Sequence, residues 1–216
     1  MATTQKPLRA DAERNRRRIL DAAADLFAAK GLSVGLDEIA HHAGVGVGTA
    51  YRRFPDKRQL IEALFEERVG RIVELAERGL AADDAWEGLT GFIEQAADLQ
   101  IVNRGLKELI FGSDQGTELA ERAHARIAPL TEQLLRRAQA SGALRADVVA
   151  SDLPLLQYMV SSAAELTAPH APELWRRYLA LVMDGLRTPD PHPLPQPGLR
   201  SDELPAAVRK ARARAS

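Results

Sequence analysis

The sequence predicts an all-α protein of about nine helices, and three observations carry that expectation. Ala, Leu and Arg dominate, and aromatic residues make up only 5% of the chain, a bias that favours helix over strand. Apolar residues recur at three- and four-residue spacings through most of the long segments. No segment sustains the period-two alternation of a half-buried strand. At 216 residues the chain can form one large or two small domains around a sizeable core.

The elements follow in order. Residues 1–13 precede the first periodic stretch and read as a flexible, basic N-terminal arm. Over 14–30, Ile19, Ala22, Ala23, Leu26 and Phe27 form one apolar stripe, and Gly31 ends that helix. A short helix over 36–43 places Leu36, Ile39, Ala40 and Ala43 on one side. Gly44 interrupts it, and a third short helix runs over about 47–54. Pro55 and Asp56 open a long helix to about residue 80, proline being tolerated in a first turn. Its stripe is Leu60, Ile61, Leu64, Ile72, Leu75 and Ala76. Five further helices are expected over about 85–99, 103–111, 117–140, 151–167 and 172–186, with polar loops at 112–116 and 140–147. From residue 188 the chain is Pro-rich, then basic, and reads as a tail unable to build a core. The resulting organisation is an arm (1–13), a helix-turn-helix domain (14–56), a helical bundle (57–187) and a tail (188–216).

Composition excludes several classes. Without cysteine there is neither a disulfide framework nor a thiolate metal site. No apolar run is long enough to span a bilayer, and residues 1–11 lack a signal-peptide core, so a cytoplasmic protein is expected. Residues 1–60 carry 11 Lys and Arg against 7 Asp and Glu, whereas the remainder carries 18 against 23. A basic end facing a polyanion and an acidic body held away from it would fit that split. His41 and His42 are adjacent, so on a helix they point apart and do not form a metal pair. The glycine run at 44–48 lacks the preceding strand and spacing of a dinucleotide loop, and no acid, base and nucleophile are placed together. No enzyme activity, cofactor or metal is expected.

The segment 36–54 has the logic of a helix-turn-helix. Two short helices that cross steeply need a small residue at their contact, which Ala40 supplies. The chain must then turn at once, and Gly44 can take a positive φ without steric cost. Ile39, Val45, Ala50 and Phe54 would pack the pair on the first helix. Thr49, Tyr51, Arg52 and Arg53 are left facing out, with hydroxyls suited to phosphate and guanidinium forks suited to guanine or phosphate.

Together, Arg18-Ile19, Ala22-Ala23, Leu26-Phe27, Gly31, Ile39-Ala40, Ala43-Gly44-Val45, Gly48-Thr49-Ala50-Tyr51-Arg52-Arg53-Phe54, Lys57 and Leu60 closely resemble the DNA-binding domain of the tetracycline-repressor (TetR) family. The likeness covers about residues 14–65. It implies that Thr49, Tyr51, Arg52 and Arg53 contact DNA from the recognition helix, with Val47 and Gly48 at its front. It also implies that Lys57 contacts a phosphate. Two positions depart from the family pattern. Gly35 stands where a Thr or Ser N-cap is usual, and Ala50 stands where Leu is usual. Val47, being apolar, would meet a thymine methyl.

In the body, the helices over 151–167 and 172–186 are apolar on nearly every face. One face of each is therefore expected to meet a second copy of the chain. Leu156, Met159, Val160, Ala163, Leu174, Trp175, Tyr178, Leu181 and Val182 are the candidate dimer residues, paired as a four-helix interface as the resemblance implies. By the same resemblance, a small-molecule site would lie among the helices from about 64 to 167. Its candidates are Trp86, Gln100, Arg104, Glu108, His124, Gln157, Tyr158 and Ser161. The function so implied is a ligand-responsive repressor that binds a near-palindromic operator as a homodimer and is released by an effector. The sequence leaves a second reading open, a helical adaptor that keeps the helix-turn-helix without small-molecule control.

Overall fold

The computed structural model describes residues 5–101, 114–187 and 191–200, with residues 203, 204, 206, 207 and 210 beyond them. The described residues hold eight α-helices and no strand. These are α1 (Gln5–Lys30), α2 (Leu36–His42), α3 (Val47–Arg53), α4 (Lys57–Ala81), α5 (Ala85–Ile101), α6 (Asp114–Ala140), α7 (Asp152–Thr167) and α8 (Trp175–Arg187). The helix expected over 103–111 lies outside the described residues. No described helix is long and apolar enough to cross a membrane. The chain divides into two compact units, with the boundary inside α4 between Arg68 and Val69, rather than at 56–57 as the sequence suggests.

In the first unit, α1 buries Ile19, Leu20, Ala22, Ala23, Leu26 and Phe27 and packs on α2, which packs on α3. Ala40 and Ala50 are fully buried, the small residues that a close helix crossing requires. Leu60, Ile61 and Phe65 of α4 complete this core. Residues 5–13 are helical, not a free arm. Ion pairs one turn apart, Arg14–Asp11 and Arg16–Glu13, support that extension, and Pro7 falls in the first turn, where a missing N–H costs nothing. The fourth helix starts at Lys57 rather than Pro55 because Asp56 caps it. The Asp56 carboxylate accepts the Gln59 N–H at 2.8 Å, an N-cap geometry.

The second unit is a bundle in which α5 packs against α6 and α7, and α7 against α8. Its core joins Leu75 and Ala76 of α4 to Leu89, Phe92 and Ile93 of α5, Leu134 and Leu135 of α6, Leu153 and Val160 of α7, and Trp175, Leu179 and Met183 of α8. The crossing of α4 on α5 is a backbone contact. A methyl group on Gly88 would stand 2.2 Å from the Gly79 carbonyl oxygen, and one on Gly79 would stand 2.6 Å from that of Gly88. Next to this crossing, Arg137 of α6 donates to the carbonyls of Gly79, Leu80 and Ala82. A helix end leaves such carbonyls without intrahelical donors and carries partial negative charge, so the guanidinium closes it. The sixth helix begins at Asp114, which makes residues 114–116 of the expected loop helical.

The C-terminal segment corrects the expectation of a solvated tail. Arg145 sits between α6 and α7 and grips Asp147 at 2.6 and 2.9 Å. The same guanidinium donates to the His192 carbonyl at 2.7 Å, and the Arg145 N–H donates to Leu186 at the end of α8. The Ser151 hydroxyl donates to the Leu199 carbonyl. Gly198 presses so closely on Val149 that an added methyl would lie 2.3 Å from its Cγ2, and Leu204 is buried. Residues 191–200 thus lie as a strap on the second unit. They contribute few apolar side chains, and backbone carbonyls supply the attachment.

Candidate nucleic-acid interface

The geometry of the helix-turn-helix follows from its glycines and one arginine. Gly44 adopts φ +62°, the left-handed conformation that lets α2 end and the chain reverse. The Val45 N–H then bonds the Ala40 carbonyl at 3.0 Å. From α1, Arg18 donates to the Gly44 carbonyl at 3.0 Å, tying the turn to the first helix across 26 residues of sequence. Gly35 and Gly46 are the N-caps of α2 and α3, and neither helix has a side-chain cap. Backbone bonds from Ile39 to Gly35 and from Thr49 and Ala50 to Gly46 start them instead.

Ala50 and Phe54 anchor α3 in the core, so Tyr51, Arg52 and Arg53 stand exposed, with Val47 and Thr49 half-exposed and Gly48 open. Arg52 folds back on its own helix, donating to the Gly48 carbonyl at 3.1 Å and the Thr49 hydroxyl at 3.2 Å. Arg53 instead reaches Glu13 of α1 at 3.5 Å. Tyr51 lies beside Asp37 of α2; hydrogen bonding to that carboxylate, and then its charge, raises the phenol pKa.

Lys57 is turned inward. Its ammonium donates to the Leu32 carbonyl and lies 5.7 Å from the centre of the Phe27 ring, and partial burial lowers its pKa. An ammonium has three donors, so this contact leaves capacity for a phosphate. His42 stands 3.8 Å from Asp25, and both are exposed. Arg18, Glu13 and Asp37 were not singled out as site residues by the sequence. They act across 26, 40 and 14 positions, and no local periodicity reports contacts at those separations.

The body residues are distributed differently from the sequence expectation. Val160 and Trp175, expected at a dimer interface, are buried in the core of the second unit. Met159, Tyr178 and Leu181 are exposed at 59%, 41% and 56%, and Tyr158 and Leu166 join them at 47% and 83%. Leu156, Ala163, Leu174 and Val182 are half-buried. Tyr158, expected in a ligand site, thus faces outward. Trp86 is partly buried against the core, with the Arg187 guanidinium 5.3 Å above its ring. Ser161 is buried and donates to the Tyr158 carbonyl at 3.0 Å. His124 and Gln157 are half-buried. Arg104, Glu108 and the Gln100 side chain lie outside the described residues.

Comparison with known proteins bears on both units. The family model of bacterial regulatory proteins of the tetR family matches residues 19–64. A second model, the C-terminal domain of SbtR-like transcriptional regulators, matches residues 84–188. The regulator SrpR of Pseudomonas putida is 31% identical over 140 residues, a match that covers 62% of this chain and 66% of SrpR. A helix-turn-helix regulator of Staphylococcus aureus is 35% identical over 89 residues, covering 40% of this chain and 46% of the relative. Among solved structures, a TetR transcription regulatory protein from Mycobacterium vanbaalenii is 38% identical with a TM-score of 0.62. The match covers 84% of this chain and 100% of that one. A TetR regulator from Streptomyces coelicolor is 29% identical with a TM-score of 0.64, covering 81% and 99%.

Proposed function

The chain belongs to the TetR family, whose members are transcriptional regulators and not enzymes, and from that premise we propose a ligand-released repressor that binds its operator as a homodimer. The observation that carries the reading is the outward face of α3. Ala50 and Phe54 are buried while Tyr51, Arg52 and Arg53 stand free of the core. Val47, Gly48 and Thr49 lead the helix into a major groove, where Arg52 and Arg53 read bases and Thr49, Tyr51 and Lys57 hold phosphates. Two such helices related by a two-fold axis meet successive groove faces about 34–36 Å apart, which calls for a near-palindromic site.

The dimer forms through α7 and α8, whose exposed Met159, Leu166, Tyr178 and Leu181 would otherwise leave large apolar side chains in water. The effector enters the second unit, where an Ala- and Leu-rich interior with few aromatics suits a mainly apolar molecule. Trp86, His124, Gln157 and Ser161 are the proposed polar and aromatic contacts. Since α4 runs from one unit into the other, it is the element through which effector binding changes the spacing of the two reading heads. The protein acts on DNA in the cytoplasm.

The test is selection of a binding sequence from random duplexes, followed by anisotropy titrations with that duplex and a scrambled one. Arg52→Ala and Arg53→Ala should weaken the selected duplex by about 1–3 kcal/mol each, with less effect on the scrambled one. Lys57→Ala should weaken both alike and reduce the salt slope by about one. Equal affinity of the wild type for selected and scrambled duplexes would sink the reading.

A further inference from the structure

The first helix reaches the recognition helix through a side chain that the DNA reading does not use. The Glu13 carboxylate holds Arg53, the last residue of α3, at 3.5 Å, and stands 3.7 Å from Arg16 on its own helix. Forty residues separate the pair in sequence. The two helices are already registered by Arg18 on the Gly44 carbonyl, so the approach of Glu13 to Arg53 follows from the packing of the unit. Both side chains are well exposed, Glu13 at 65% and Arg53 at 42%. An exposed pair of this kind adds little to folding stability, and its consequence falls on the guanidinium.

Arg52 and Arg53 differ in this respect. Arg52 is returned to its own helix by the Gly48 carbonyl and the Thr49 hydroxyl, whereas Arg53 is held by a carboxylate from another helix. A guanidinium presents five N–H donors in a rigid fork. With one amino group directed to Glu13, the guanidinium keeps its other donors for a second partner. A lone phosphate must compete with the carboxylate for that group, while a guanine edge can accept two bonds from the remaining donors.

We infer that Glu13 is a specificity-determining residue of the DNA interface, bracing Arg53 for base contacts and withholding it from phosphates at random sites. This rests on the reading of Arg53 as a DNA contact. Glu13 touches no DNA itself and acts as a positioning residue.

The experiment uses the full chain as wild type, Glu13→Gln, Arg53→Ala and the double variant. Each is titrated against the selected and the scrambled duplex at several salt concentrations, with circular dichroism melting to confirm the fold. Glu13→Gln should tighten scrambled-duplex binding and lower the selected-to-scrambled ratio by about three- to tenfold. In the Arg53→Ala background it should leave that ratio unchanged. A Glu13→Gln effect that persists undiminished without Arg53 would overturn the inference, because the carboxylate would then act as a diffuse charge. No effect in either background would also overturn it. A ratio insensitive to Arg53→Ala in otherwise wild-type protein would instead refute the reading of Arg53, and the inference with it, and only that arm reports it.

Discussion

Substituting Gly88 by alanine should destabilise the second unit, although the same change three residues along the same helix should stabilise it. At Gly88 the new methyl would lie 2.2 Å from the Gly79 oxygen, 3.1 Å from its carbonyl carbon and 3.2 Å from the Ala82 methyl. Two of these obstacles are backbone, so no rotamer change relieves them, and α4 and α5 must separate by about 1 Å. A gap of that size forfeits a quarter to a half of each dispersion contact across the crossing, and overpacking of this kind costs about 1–3 kcal/mol, occasionally more.

Against this stands the gain of about 1 kcal/mol from replacing glycine by alanine in a helix. With the clash at the upper end of its range, the net loss is about 2 kcal/mol. For a chain of this size that lowers the melting temperature by about 4–8 °C. At Gly91 an added methyl meets only the Gln95 amide, at 3.8 Å, so Gly91→Ala should raise stability by about 0.5–1 kcal/mol. Urea unfolding followed by circular dichroism measures both variants. Because either methyl forces the same separation, Gly79→Ala with Gly88→Ala should cost less than the sum of the single changes. If Gly88→Ala and Gly91→Ala move the midpoint in the same direction by the same amount, the backbone contact is not what sets the crossing.

Arg137→Met keeps most of the stem but removes the donors to Gly79, Leu80 and Ala82; a loss of about 2 kcal/mol in urea unfolding is expected. Arg145→Ala removes both the Asp147 clamp and the bond to His192, and limited proteolysis should then cut within 191–200 several times faster than in the wild type. Gly35→Ser should stabilise by about 0.5 kcal/mol in thermal melts with DNA affinity unchanged, because the position is extended and nothing lies within 4 Å of an added Cβ. Met159→Glu with Leu181→Glu places charges on the exposed faces of α7 and α8; sedimentation should show monomer where the wild type shows dimer, and an unaltered dimer would put the interface elsewhere.

The helix-turn-helix was legible in the sequence because its constraints are local. Ala40 and Ala50 must be small where two helices touch, Gly44 must turn, and the apolar stripe of α1 repeats at the helical period. These demands act over a few residues, so spacing alone reports them. The outward set on α3 follows by the same reasoning, since burying Ala50 and Phe54 leaves Tyr51, Arg52 and Arg53 on the other side.

Periodicity served the body less well. Val160 and Tyr158 both lie in an apolar helix, and the pattern alone does not say that one enters the core and the other faces out. That choice depends on the rotation of α7 against α5 and α8, a property of three helices at once. The strap was also illegible, because it is held by backbone carbonyls of His192 and Leu199, which every residue possesses. Composition therefore gave no sign that a Pro-rich segment would lie against Arg145 and Ser151.

The all-α class, the order of the helices and the helix-turn-helix over residues 36–54 came from the sequence by itself, since each rests on contacts between near neighbours along the chain. Tertiary structure alone decided that Arg18 grips the turn, that Glu13 meets Arg53, that Lys57 points inward, and that Gly79 and Gly88 let two helices touch. Those pairings join residues from 9 to 40 positions apart, or bring a long side chain back over a distant turn. Only packing of the whole unit chooses among the many partners such side chains can reach.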